Sequence, residues 1–163
     1  MSSFAAKAAA QASRAGSAIR HAAVKKKSFV VWFRGTDLRV DDNEVLSVAS
    51  SYRGVKDVLP VYVFDPRCFA VDARYGSARK SGEFRARFLI ESVQDLRASL
   101  QRLGSGLVVA VGKPEVVLPR IVGQMGGSDV SLVFQEEAGT EERAVERAVK
   151  RGLGRGVGVT CKC

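Results

Sequence analysis

Histidine is almost missing from this chain. The single one, His21, falls in the leader at residues 1–27, so a domain beginning at Ser28 holds no imidazole. That excludes from the domain a Ser-His-Asp or Cys-His nucleophilic site and any His-ligated metal. Cysteine is scarce as well. Cys68, Cys161 and Cys163 form an odd set without metal-ligand spacing, and free thiols in a reducing compartment are the reading they support. No apolar run approaches the ~20 residues needed to span a bilayer. The first strand is not followed by G-x-G-x-x-G, and G-x-x-x-x-G-K-S/T occurs nowhere, so neither phosphate-binding fingerprint is present. The Gly-rich "GLGRGVG" (152–158) follows a helical pattern and precedes a strand, the wrong order for a phosphate cradle, and reads as a flexible turn.

Acids are missing from the beginning of the chain. Residues 1–36 carry seven Lys/Arg and no Asp or Glu, whereas the rest carries 19 bases against 17 acids. Most of the net charge of +9 therefore belongs to the leader, and a nucleic-acid surface on the domain is not demanded by charge. The leader is rich in Ala, Ser and basic residues and has no continuous apolar segment. It is expected to be an organelle transit peptide, for mitochondrion or plastid, with a disordered basic arm as the alternative.

What is present is a core and a rhythm. The 163 residues suit one domain, and 46% are hydrophobic. Continuous β-rich runs at 28–33, 58–64, 107–111, 129–134 and 156–161 predict five strands buried on both faces. Pro60 is expected near a strand start or at a bulge. Helices are predicted between them. The first is capped by Asp42 or Asn43. The second is capped by Ser81, with Phe84, Phe88, Leu89, Val93, Leu96, Leu100 and Leu103 at core spacing and Gly104 as its stop. The third starts at Pro114 and is kinked at Pro119, and the fourth is capped by Thr140 with acids first and bases last. The alternation βαβαβαβαβ means an α/β domain: a parallel sheet with helices on both faces. In such sheets ligands bind beyond the carboxyl ends of the strands. The long connection 65–80 ends there and is a candidate functional loop.

The stretch "VVWFRGTDLRVDDNEVL" resembles the N-terminal signature of the photolyase/cryptochrome family, a strand ending W-F-R followed by D-L-R and D-N. "PVYVFDPRCF", "SGEFRARFLIESVQDLRASLQRLGSGLVVAVGKPEVVLP" and "FQEEAGTEE" continue the resemblance in unbroken order over residues 28–161, most closely to DASH-type cryptochromes and plant photolyase-like proteins. The resemblance implies a Rossmann-like five-stranded sheet in the order 3-2-1-4-5, forming the family's antenna domain over 28–163. In full-length relatives a larger helical domain holds FAD and the DNA lesion pocket. FAD, light-driven repair as a deoxyribodipyrimidine photo-lyase, and DNA binding are therefore not expected of this chain by itself.

That strand order places the loops after strands one and four side by side. It is expected to bring Arg34, Asp37 and Arg39 near Gln135, Glu136 and Glu137. By the family's register Glu137 matches a glutamate that helps bind a folate-type antenna, and a carboxylate accepts the N–H donors of a pterin. A deazaflavin-type antenna is the other option. Against binding, Glu137 can simply pair with Arg34 or Arg39, and Asp37 and Asn43 can bond nearby backbone. One departure stands out: Gly35 and Thr36 both intervene where the family commonly has one residue, at the place a chromophore would lie. Arg85, Arg87 and Arg97 share their helix with Glu83, Glu91 and Asp95 and read as a mixed solvated surface. Lys113 could approach a phosphate at a helix N-terminus. The functional expectation is a stand-alone α/β domain that binds an antenna chromophore. The alternatives are an interaction subunit of a large organelle complex, a fragment of a full-length DASH-type protein, and a general nucleotide-binding domain.

Overall fold

The run that reads as the first strand becomes the centre of the sheet. In the computed structural model, which describes residues 26–71, 79–154 and 157–162, β1 (Lys27–Phe33) is buried from Ser28 to Phe33. It lies between β2 (Val55–Phe64) and β4 (Val130–Gln135), with β3 (Val108–Val111) and β5 (Gly158–Lys162) at the edges. All neighbours are parallel, in the expected order β3-β2-β1-β4-β5.

Strand alternation sends side chains to two separate apolar layers. Phe29, Val31, Phe33 and Tyr62 meet α1 (Glu44–Ser51) and α2 (Glu83–Arg102) through Val45, Ala49, Val93, Leu96 and Leu100. Val30, Trp32, Val61 and Leu132 meet α3 (Pro114–Gln124) and α4 (Thr140–Gly152) through Val117, Leu118, Val122 and Val149. Each fully buried side chain of this size is worth about 1.5–3 kcal/mol, against about 0–1 for a surface ion pair. The two layers, not the exposed charges, therefore set the fold.

The helix ends show where local signals were overridden. Asn43 caps α1, its side chain accepting the Leu46 N–H at 2.8 Å, while Asp42 takes a left-handed φ of 52° just before it. Ser81 does not cap α2; Gly82 is its N-cap and no side chain bonds there. Thr140 does not cap α4 either, since it is the first helical residue and Gly139 precedes it as N-cap. The Glu142 carboxylate folds back into the space a side chain at 139 would need, which favours glycine. Gly104 stops α2 as predicted: with a φ of 76° it donates to the Gln101 carbonyl, and Ser105 donates to that of Leu100.

Three further expectations fail. Phe84 is 91% and Phe88 69% exposed, and Leu103 is exposed too, so the core stripe of α2 is only its middle. The first turns of α2 stand beside a cleft at the end of the sheet, and Phe88 lines it. β2 begins three residues earlier than its apolar run, and Pro60 sits within it rather than near its start. It is tolerated because β3 pairs with β2 only from Val61 onward, so at Pro60 the strand has a neighbour on one side, Val31 of β1.

Pro114 opens α3 as expected, and Pro119 lies inside the same helix, where it cannot donate to the carbonyl of Glu115. Gly152 of α4 closes on that spot: a Cβ there would lie 3.0 Å from the Glu115 carbonyl oxygen and 3.0 Å from Pro119 Cγ. Glycine-to-alanine in a helix ordinarily stabilises by about 0.5–1 kcal/mol, and overpacking costs about 1–3. Gly152→Ala is therefore expected to lower stability, by about 1 kcal/mol net. A rise in the urea midpoint would refute the close α3–α4 approach.

Candidate functional site

β1 ends at the point where the strand order reverses. There Arg34 turns out of the sheet, and the loop after it is tied by its own polar residues. Asp37 Oδ1 accepts the Arg34 N–H at 2.5 Å, and Asn43 Nδ2 donates to the carbonyls of Asp37 at 3.3 Å and Arg39 at 3.1 Å. Asp37 and Asn43 thus do local work, bonding backbone behind the cleft.

The Arg34 side chain crosses to the other half of the sheet. It donates to Glu137 after β4 and to Glu146 Oε1 on α4, the latter at 2.8 Å. Its guanidinium carbon stands 4.4 Å from the centre of the Trp32 ring. Glu146 Oε1 also accepts the Glu137 N–H at 3.0 Å, and Thr36 Oγ1 donates to Glu137 Oε1 at 2.8 Å. The expected meeting of Arg34, Asp37 and Glu137 is therefore seen. Arg39 is not part of it: it is exposed and does not line the cleft. Glu146 was missed. Its signal was in the sequence, because it shares the buried face of α4 with Val149 and Leu153 at i+3 and i+7, where an acid needs a partner.

Burial pushes the Asp37 carboxyl up to about 6, against its hydrogen bond from Arg34; the charge of Glu137 adds to the rise and those of Arg34 and Arg39 oppose it. Burial likewise pushes the Tyr62 hydroxyl up to about 12, so it remains a neutral donor. The Cys68 thiol is also raised, by burial first and then by Asp65.

Beyond these groups opens a cleft of about 1020 Å³, floored by Trp32, Phe33, Tyr62 and Val63. Its lining also includes Arg34, Gly35, Thr36 and Glu137 from the loops after β1 and β4, and Cys68, Arg85, Phe88 and Leu89 from the β2–α2 region. The extra loop residue noted in the sequence does line the cleft. Arg67 is held by Asp65 at 2.6 Å and Glu115 at 2.8 Å, and Lys80 pairs with Glu141. Among the described residues no group of three His, Cys, Asp or Glu could hold a metal, and no helix is long and apolar enough to cross a membrane. Cys161 and Cys163, and the leader at 1–25, lie outside what the structure describes of side chains and chain.

A parallel sheet in the order β3-β2-β1-β4-β5, with helices on both faces and a cleft at its switch point, defines the class: a Rossmann-like α/β domain. Comparison with known proteins narrows that class: the chain belongs to the DNA photolyase family, whose model matches residues 29–162. It is 50% identical over 109 residues to the blue-light photoreceptor PHR2 of Arabidopsis thaliana, covering 67% of this chain and 23% of that one. It is 46% identical over 92 residues to a cryptochrome DASH of Oryza sativa named chloroplastic/mitochondrial, covering 56% and 15%. The crystal structure of a Synechocystis cryptochrome superposes with a TM-score of 0.71 at 35% identity, over 83% of this chain and 27% of that one. The chain thus spans less than a quarter of the length of these curated relatives.

Two outcomes test this site. Because the folded pKa of Asp37 lies above its ordinary value, its protonated form stabilises the fold. That stability is full at acid pH and is lost as pH rises from about 4 through about 6, a swing of about 3 kcal/mol at most. Asp37→Asn is expected to match the wild type near pH 4 and to exceed it by about 2 kcal/mol at about pH 8, read by urea denaturation at both. Arg34→Met strands the buried Glu146 and the part-buried Glu137 and is expected to cost about 3–5 kcal/mol, partly recovered by adding Glu146→Gln. A loss under about 1 kcal/mol would show the pairing to be dispensable.

Proposed function

We propose that this domain binds an antenna-type chromophore, of folate or deazaflavin class, in the cleft at the switch point. The observation that carries the reading is the cleft itself. Its volume of about 1020 Å³ suits a ligand of that size, and its lining joins the apolar Phe69, Phe88 and Leu89 to the polar Arg34, Thr36 and Glu137. Arg34 and Glu137 form one charged wall, while Asp37 and Asn43 shape the loop behind it. Such a chromophore, once bound, supplies light absorption; the chain's own residues hold it and exclude water.

The proposal assigns neither FAD nor DNA to the domain on its own, and no light-driven repair. It places the protein in an organelle, mitochondrion or chloroplast. The basic Ala/Ser-rich segment 1–27 and the chloroplastic/mitochondrial location in the rice relative's name support that location. A second reading, an interaction subunit within a larger assembly, draws on the edge strand β3, where Val108, Val109 and Val111 are 39%, 38% and 75% exposed.

The test uses the purified chain with a methenyl-folate and with flavins as deazaflavin stand-ins. Trp32 is the only tryptophan and lies on the cleft floor, so binding is expected to quench its emission. Absorbance at wavelengths longer than the aromatic band should then co-elute with the protein. No quenching and no co-elution with any of them sinks the proposal, and repair of pyrimidine dimers under light by this chain alone would sink its second half.

A further inference from the structure

The outward face of α4 carries a row of a single charge. Arg143, Arg147 and Arg151 recur at four-residue spacing, so they form one ridge with a step of about 6 Å. All three are exposed, and none makes an ion pair among the described residues. The helix does hold acids, but they are turned elsewhere. Glu146 is buried against Arg34, Glu141 pairs with Lys80, and Glu142 folds back towards Gly139. The positions three and four residues from each arginine hold Gly, Thr, Ala, Lys, Arg and, once, Glu146. α2 shows the contrast, with Arg87 meeting Glu91 at 3.0 Å one turn on. Like charges at this spacing weaken a helix, and α4 carries two such pairs in succession. The row lies outside the cleft. Ala144 and Ala148 on one flank line the cleft and the three arginines do not, while on the other flank Lys150 is held by Glu136 at 3.1 Å.

Shape decides which anion fits. A helix that binds a bilayer surface inserts its apolar face, and in α4 that face is used, because Val149 and Leu153 are buried in the core. A nucleic-acid strand is held by a basic groove with aromatic rings for its bases, whereas this row stands on a convex helix that has no aromatic residue. A second helix laid alongside suits it. Carboxylates at four-residue spacing repeat at the same step of about 6 Å, and each guanidinium offers one of them a planar fork of donors. We propose that the outer face of α4 docks an acidic helix of a partner protein, with Asp or Glu at every fourth position along one side. The contact is electrostatic and sensitive to salt, and it does not depend on a chromophore in the cleft.

The test uses the full chain and two stapled helical peptides of about 20 residues with equal numbers of glutamates. In one peptide the glutamates are aligned at every fourth position; in the other they are spread around the helix. By fluorescence anisotropy at about 50 mM salt, the aligned peptide is expected to bind about fivefold more tightly, and about 500 mM salt should weaken it more than about tenfold. Arg143→Gln, Arg147→Gln and Arg151→Gln should each weaken it about twofold to fivefold, and the triple variant should lose the preference for alignment. A control with Arg53→Gln, Arg97→Gln and Arg102→Gln removes the same charge elsewhere and should change the affinity less than about threefold. Trp32 emission at the wild-type wavelength verifies that each variant is folded. No binding of the aligned peptide at about 1 mM, equal binding of the two peptides, or a triple variant that binds like the wild type overturns the proposal. So does a DNA duplex of about 20 base pairs, or a phosphatidylserine vesicle, that binds more tightly than the aligned peptide and is released by the triple substitution, since the row would then serve phosphates.

Discussion

One buried guanidinium holds the switch point together. Arg34 is 7% exposed and reaches across the sheet to Glu137 and Glu146, which belong to the other half of the fold. Burying these charges is costly, and only their mutual pairing and the ring of Trp32 beneath make the cost bearable. The geometry that results is fixed: the loop after β1 cannot move without the loop after β4. The cluster also holds more carboxylates than cations, counting Asp37, whose carboxyl is raised first by burial and further by the charge of Glu137.

That lattice decides the character of the cleft. By satisfying its own polar groups it makes the wall at Arg34 and Glu137 a rigid support. Tyr62 belongs to the core and also lines the cleft, which is a consequence of lying two residues from the end of β2. The N-terminal turns of α2 contribute Arg85 and Phe88 because they extend beside the cleft, away from the sheet. The family relationship fits this arrangement without dictating it. The two curated relatives named above are four or more times longer than the region matched.

Much was readable in the sequence where periodicity and burial agree. The five strands, the four helices, the Asn43 cap and the Gly104 stop follow from residue spacing and local chemistry. The misreadings all concern groups whose fate depends on neighbours distant in sequence. Ser81 and Thr140 have side chains able to cap, yet the helices begin one residue later and at the threonine itself. Phe84 and Phe88 keep the helical period of a core stripe, but no layer among the described residues covers them. Glu146 looked like one acid among several in a charged helix.

The sequence by itself determined the class of fold, because an apolar period of two or 3.6 residues is a property of consecutive side chains. It also placed Arg34, Asp37 and Glu137 at neighbouring loops. Only the tertiary structure decided which of these groups remain free to meet a ligand. Hydrogen-bonding capacity is limited, and whether it is already used depends on residues such as Glu146, brought to Arg34 from 112 positions away by the packing of α4 on the sheet.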